Sequence, residues 1–222
     1  MRYPSLRSLC LSDPLDLKHS LFRELDPPSP SIRKLRLSVS DVSLSNLRAL
    51  LASIAKLQVF YLDIDLPSLD TALLGPGSYM PHRHRKTIKE LHITLSPFTV
   101  TSDVKPASSP AFAFWTEYTA LAILTLPDVF LYNDPTYTEG IASRLSRTLR
   151  SLTISIRLAE PLVSRVLKDL LSQRAAVPNL RDVTIAVDNM GTNYLRRKLG
   201  KLQPSFTASG IRLRLNKVGW VQ

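Results

Sequence analysis

The densest grouping of residues that could do chemistry is the run Pro81-His82-Arg83-His84-Arg85-Lys86. Two histidines one residue apart alternate like a strand and would set both imidazoles on one side, where a metal site could begin. The cations Arg83, Arg85 and Lys86 would repel a metal ion, and no carboxylate or thiol completes a ligand set, so no metal is expected. The same run also reads as a solvated basic loop, a nuclear-localisation patch or a phosphate-binding loop. Gly75-Pro76-Gly77 and Pro81 oppose helix, which places residues 73–86 in a loop. Nucleophilic catalysis has less to work with. The single cysteine, Cys10, lies between Leu9 and Leu11 with no histidine nearby in sequence. The serines form no Gly-x-Ser-x-Gly elbow, and the 7 scattered glycines form neither a Walker loop nor a dinucleotide fingerprint. No catalytic residue and no cofactor is expected, and the chain reads as a non-enzyme.

The elements that must position any site come from a repeated phrase. Leu6-Arg7-Ser8-Leu9-Cys10-Leu11 returns as Ile32-Arg33-Lys34-Leu35-Arg36-Leu37, Leu57-Gln58-Val59-Phe60-Tyr61-Leu62 and Ile88-Lys89-Glu90-Leu91-His92-Ile93. It returns again as Leu121-Ala122-Ile123-Leu124-Thr125-Leu126, Leu149-Arg150-Ser151-Leu152-Thr153-Ile154 and Leu180-Arg181-Asp182-Val183-Thr184-Ile185. A degraded eighth copy is Ile211-Arg212-Leu213-Arg214-Leu215. Each is apolar-x-x-apolar-x-apolar, the strand signature of a leucine-rich repeat. The middle anchors fall at positions 9, 35, 60, 91, 124, 152, 183 and 213. The last two anchors of each copy alternate with another residue and so share one face of a short strand. Parallel pairing of the copies then requires a crossover between each strand and the next.

Several crossovers carry helical periodicity. Val42, Leu44, Leu47, Leu50, Leu51 and Ile54 recur at steps of three and four, as do Leu162, Val166, Leu167, Leu170 and Leu171 after Pro161. A shorter helix is expected over Leu15, Leu17, Leu21, Phe22 and Leu25. Another is expected over Leu195, Leu199 and Leu202, with Arg196, Arg197, Lys198 and Lys201 outside. Residues 96–110 and 133–138 read as further loops. The expected fold is one α/β solenoid over residues 1–222, a curved parallel sheet inside with helices and loops outside, in about eight irregular repeats.

The residues flanking the middle anchors form the inner strand face and are the candidate binding surface: Lys34 and Arg36, Tyr61 and Asp63, Glu90 and His92, Thr153, Asp182, Arg212 and Arg214. The face is polar and mixed in charge, with no convergent carboxylates and no cysteine-histidine array. It suits a protein ligand held on a concave surface. A second class of partner is nucleic acid or another polyanion, through Arg33, Lys34, Arg36, Arg83, Arg85, Arg212 and Arg214. The formal charge of +11 is compatible with it, although the basic residues are dispersed along the chain. The lone cysteine fits a reducing compartment. No stretch approaches the roughly 20 apolar residues that span a bilayer, and Pro4, Arg7 and Ser8 interrupt any signal peptide. The chain therefore reads as intracellular, cytoplasmic or nuclear, without a membrane partner.

Pro4-Ser5-Leu6-Arg7-Ser8-Leu9-Cys10-Leu11 and Pro178-Asn179-Leu180-Arg181-Asp182-Val183 resemble the divergent leucine-rich repeats of F-box/leucine-rich-repeat proteins, especially the fungal type. The resemblance implies a substrate-binding repeat region in a ubiquitin-ligase adaptor, with an F-box that docks on the ligase. No F-box-like segment precedes the first repeat at residue 6. The chain is accordingly expected to be a fragment, or to need a preceding segment or a partner over Leu6, Leu9 and Leu11. Val218 and Trp220 are expected to cap the last strand.

Overall fold

The computed structural model describes residues 6–12, 31–39, 44–64, 81–95, 115–128, 140–156, 160–187 and 192–217. The helix expected over residues 15–25, the loops at 96–110 and 133–138, and the cap by Val218 and Trp220 lie outside these residues. Eight strands form in chain order: β1 (Ser8–Ser12), β2 (Lys34–Val39), β3 (Val59–Ile64), β4 (Glu90–Leu95), β5 (Ile123–Pro127), β6 (Ser151–Ile156), β7 (Asp182–Val187) and β8 (Arg212–Lys217). They make one parallel sheet in the order β1 to β8, open at both ends. The fold is therefore α/β, as expected.

The apolar alternation fixes the register. The eight middle anchors pair in one unbroken row, Leu9, Leu35, Phe60, Leu91, Leu124, Leu152, Val183 and Leu213. A slip of one residue would turn every anchor to the opposite face, so the alternation itself selects this pairing. Strands β2 to β7 are also entered alike. The Arg33 carbonyl accepts N–H groups from Gln58 (2.8 Å) and Val59 (3.0 Å), and the Arg150 carbonyl accepts them from Arg181 (2.8 Å) and Asp182 (3.0 Å). Arg7, Gln58, Lys89 and Ala122 do the same for the strand that follows each of them. Two hydroxyls just before a strand tie back in one manner, with Thr87 Oγ1 donating to Leu57 O (2.7 Å) and Thr148 Oγ1 to Leu121 O (2.8 Å).

The crossovers cover one face of the sheet. Helix α1 (Leu44–Ala52) buries Leu47, Leu50 and Leu51. Two short helical turns, α2 (His82–Arg85) and α3 (Ile141–Arg144), follow, with a 3-10 turn at Trp115–Glu117. Helix α4 (Glu160–Ser172) buries Val163, Val166, Leu167 and Leu170 at helical spacing. Helix α5 (Thr192–Ala208) buries Leu195, Leu199 and Phe206. These side chains and the strand anchors form one continuous apolar cluster from Ile32 to Leu213. Each buried Leu or Ile contributes about 1.5–3 kcal/mol. Coverage is thinnest at β1, where Leu6 is 38 % exposed and Leu9 and Leu11 are only half-buried. Among the described residues no helix is long and apolar enough to cross a membrane.

Two local departures have physical causes. Pairing between β4 and β5 stops after His92 and Thr125, because Pro127 two residues on has no N–H to donate. Pro127 shares the open face with Thr125 by register and is buried there. At the end of α5, Gly210 takes φ 74°, its N–H bonds Thr207 O (3.0 Å), and Ile211 N–H bonds Phe206 O (2.9 Å). This is a Schellman ending, with Ile211 and Phe206 both buried as its apolar pair. A Cβ at Gly210 would meet no atom within 4 Å, so only the backbone strain counts. Gly210→Ala is expected to cost about 1 kcal/mol in chemical denaturation, with an unchanged denaturant slope.

Candidate functional site

Alternation along the strands turns the residues between anchors to the uncovered face of the sheet. Lys34, Arg36, Arg212 and Arg214 are exposed there, and Tyr61, Asp63, Glu90, His92, Thr153 and Asp182 are half-buried. All ten candidate residues therefore share one surface. Its organised part spans β2 to β5, where Arg36, Tyr61, His92 and Thr125 pair in register. The Tyr61 and His92 rings stack with centroids 4.3 Å apart and planes 3° from parallel. Lys34 Nζ lies 5.2 Å from the Tyr61 ring centroid and Arg36 Cζ 6.0 Å from it, within cation–π range. On the other side, His92 Nδ1 is 2.9 Å from Thr125 Oγ1, and His92 Nε2 is 3.7 Å from Glu90 Oε2. Thr94 Oγ1 donates to Asp63 Oδ1 at 3.1 Å.

The electrostatics divide this face. Burial pushes the His92 pKa below its ordinary value, Glu90 opposes the shift and Lys34 adds to it, so the ring is neutral at pH 7. Among the described residues, Lys34 and Arg36 both lie against the Tyr61 ring. The second basic pair, on β8, is compensated: Arg212 Nε lies 2.8 Å from Asp182 Oδ1, its Nη2 donates to Oδ2 at 3.0 Å, and Arg214 Nη2 lies 3.9 Å from Oδ1. Arg212 and Arg214 are mostly exposed, so these pairs set orientation more than they stabilise. Thr153 sits in the hydroxyl row Thr125, Thr153 and Thr184 that joins the two ends. The arrangement offers aromatic edges, hydroxyls and both signs of charge on a rigid sheet, chemistry suited to recognition. Cys10 is exposed on β1. Among the described residues no group of three or more His, Cys, Asp or Glu could hold a metal ion.

The basic run differs from its sequence reading. Residues 82–85 form a helical turn, so His82 and His84 do not alternate as on a strand: His82 is exposed and His84 is fully buried. The turn docks on the carbonyls at the C-terminus of α1. His84 Nε2 lies 2.8 Å from Leu51 O as donor, and its Nδ1 accepts the Leu57 N–H at 3.4 Å. Arg83 Nη2 donates to Ala52 O and, at 2.9 Å, to Ile54 O, adding positive charge where the helix dipole is negative. Ser53 Oγ completes the ending by donating to Leu50 O at 2.6 Å. Arg85 pairs with Glu117 in the turn before β5. Three of the five side chains thus hold crossovers together, leaving His82 and Lys86 exposed. Proline and glycine upstream masked this turn, because its partners lie about 30 residues earlier in the chain.

No protein-family model matches the chain, and comparison with curated proteins and with solved structures gives no match.

Proposed function

We propose that the chain is a leucine-rich-repeat solenoid acting as a non-catalytic scaffold, holding a protein ligand on the open face of its sheet. The observation that carries the reading is the Tyr61–His92 stack flanked by Lys34 and Arg36, a half-buried aromatic centre with a polar surround. Aromatic and arginine side chains in such settings supply most of the energy of protein interfaces. The repeat reading is supported by the eight apolar-x-x-apolar-x-apolar phrases, the single row of anchors and the shared way strands β2 to β7 are entered. The resemblance to F-box/leucine-rich-repeat proteins extends the proposal to substrate recognition for a ubiquitin-ligase adaptor.

The test is quantitative affinity purification from the native cell with the wild-type chain, Tyr61→Ala and Arg36→Glu. A direct partner is expected to lose about 2 kcal/mol of binding free energy with Tyr61→Ala. Ligase components among the proteins held by the wild type would support the adaptor role. Partners retained equally by all three chains would remove the open face as the binding site.

A further inference from the structure

The sheet collects basic residues that the sequence disperses. In each of the first seven copies the residue after the first anchor provides the carbonyl that receives the next strand. Those residues are Arg7, Arg33, Gln58, Lys89, Ala122, Arg150 and Arg181, five of them basic. A chain with 29 Lys and Arg in 222 residues would place about one in any seven positions. The turns leading into the same strands add exposed Lys56, Lys86 and Arg147. No Asp or Glu occurs at residues 6–7, 31–33, 54–58, 86–89, 118–122, 146–150, 177–181 and 209–211, immediately before the strands, and the exposed Glu117 of the turn before β5 pairs with Arg85. Among the described residues this end of the sheet is therefore a predominantly basic rail, distinct from the mixed-charge open face.

The rail brings like charges close together. Arg150 and Arg181 occupy equivalent places on neighbouring strands, as do Arg7 and Arg33, and like charges facing each other across strands are unfavourable. Arg33 donates to Ile32 O (3.5 Å) and Lys56 O (3.4 Å). The side chains of Arg7, Lys89, Arg150 and Arg181 are exposed and bond to no residue. Strands repeat every 4.7–4.9 Å, so the row from β1 to β7 extends roughly 29 Å.

We propose that this rail binds the phosphate backbone of duplex nucleic acid without reading its sequence. A line of evenly repeated cations is complementary to a line of evenly repeated phosphates. The aromatic residue in the lead-ins, Tyr118, is buried, so no exposed ring is available there to stack an unpaired base. That favours a duplex over a single strand and backbone contact over base contact.

The test uses a fluorescently labelled, mixed-sequence DNA duplex titrated with the full chain at a series of salt concentrations. Two variants lose the same charge in different places: Arg150→Gln with Arg181→Gln on the rail, and Lys34→Gln with Arg36→Gln on the open face. Thermal melts confirm that both fold. The wild type is expected to weaken steeply with salt, and the rail variant to bind roughly tenfold more weakly with a salt slope shallower by about 2. The open-face variant is expected to keep the wild-type slope. Absence of duplex binding, salt-independent binding, or equal loss in both variants would overturn the proposal. So would binding to phosphatidylserine vesicles without binding to the duplex. The protein-scaffold reading stands or falls separately on Tyr61 and Arg36.

Discussion

His84→Ala is expected to destabilise the protein by about 3 kcal/mol, a large effect for a side chain outside the sheet. The imidazole is fully buried and bridges two backbone groups, donating to Leu51 O and accepting from Leu57 N–H. Alanine leaves the Leu57 N–H buried without its bond, at about 1–3 kcal/mol, removes one of the two bonds to Leu51 O, which keeps the Ile54 N–H, and opens a cavity beside α1. Chemical denaturation measures the loss, and a change below about 1 kcal/mol would mean that the bridge contributes little. The bonding also fixes the protonation state. Burial lowers the His84 pKa, the bond to Leu51 opposes this, and the Arg83 charge adds to it. A second proton would put an N–H on Nδ1 against the Leu57 N–H.

The pH dependence follows from that direction. Below the ordinary histidine value of 6.5 the unfolded chain takes up a proton at this residue while the folded chain does not. The contribution of His84 to stability is therefore complete above about pH 6.5 and is lost as pH falls through the lowered folded value. His92 is shifted in the same direction and adds to the slope. Denaturation midpoints measured from neutral to mildly acidic pH should fall with pH in the wild type and fall less steeply in His84→Ala. Equal slopes would assign the acid sensitivity to other groups.

The sheet was legible in the sequence because its information is local and repeated. Leu35, Phe60 and Leu91 lie far apart in the chain, yet each sits in the same short pattern, and alternation leaves one way to pair them. The helices at Leu44–Ala52 and Glu160–Ser172 follow from apolar spacing in the same way. The last helix runs further than Leu195, Leu199 and Leu202 indicate, continuing through Pro204 to Ala208. Phe206 beyond it is fully buried and joins Ile211 in the helix ending, a tertiary reward that local rules do not contain.

The candidate surface was half legible. Register alone places Lys34, Arg36, Tyr61 and His92 on one face, but the ring stacking depends on side-chain rotamers. Arg83, His84 and Arg85 differ from the solvated loop their sequence suggests, because carbonyls at the end of α1 draw donors inward. The basic rail is written in five of the first seven copies as Leu-Arg, Ile-Arg or Ile-Lys, but becomes visible as a row only once the strands are paired. Gly140 shows the same dependence on distant contacts. A Cβ there would collide with the carboxylate of Asp169, which accepts the Ala142 N–H at 2.9 Å at the start of α3.

The largest single loss is expected from Phe60→Ala, about 3–5 kcal/mol from lost burial and the cavity left behind. Phe60 is a fully buried middle anchor of β3, paired to Leu35 on one side and Leu91 on the other. In a stack where each strand touches mainly its neighbours, stability is a sum of local and nearest-neighbour contributions. Strand β3 joins β1 and β2 to the strands that follow, and β1 is the least covered of the eight. The cavity should therefore let the first two strands open without unfolding the rest. Native-state hydrogen exchange is expected to show protection collapsing at Leu35 and Leu37 while it persists at Leu152, Ile154, Val183 and Ile185. Val183→Ala, a smaller deletion at the far end of the same row, should give the reverse pattern with a milder loss. If protection instead falls equally in all strands for both variants, the eight strands form one cooperative unit, and the nearest-neighbour description fails.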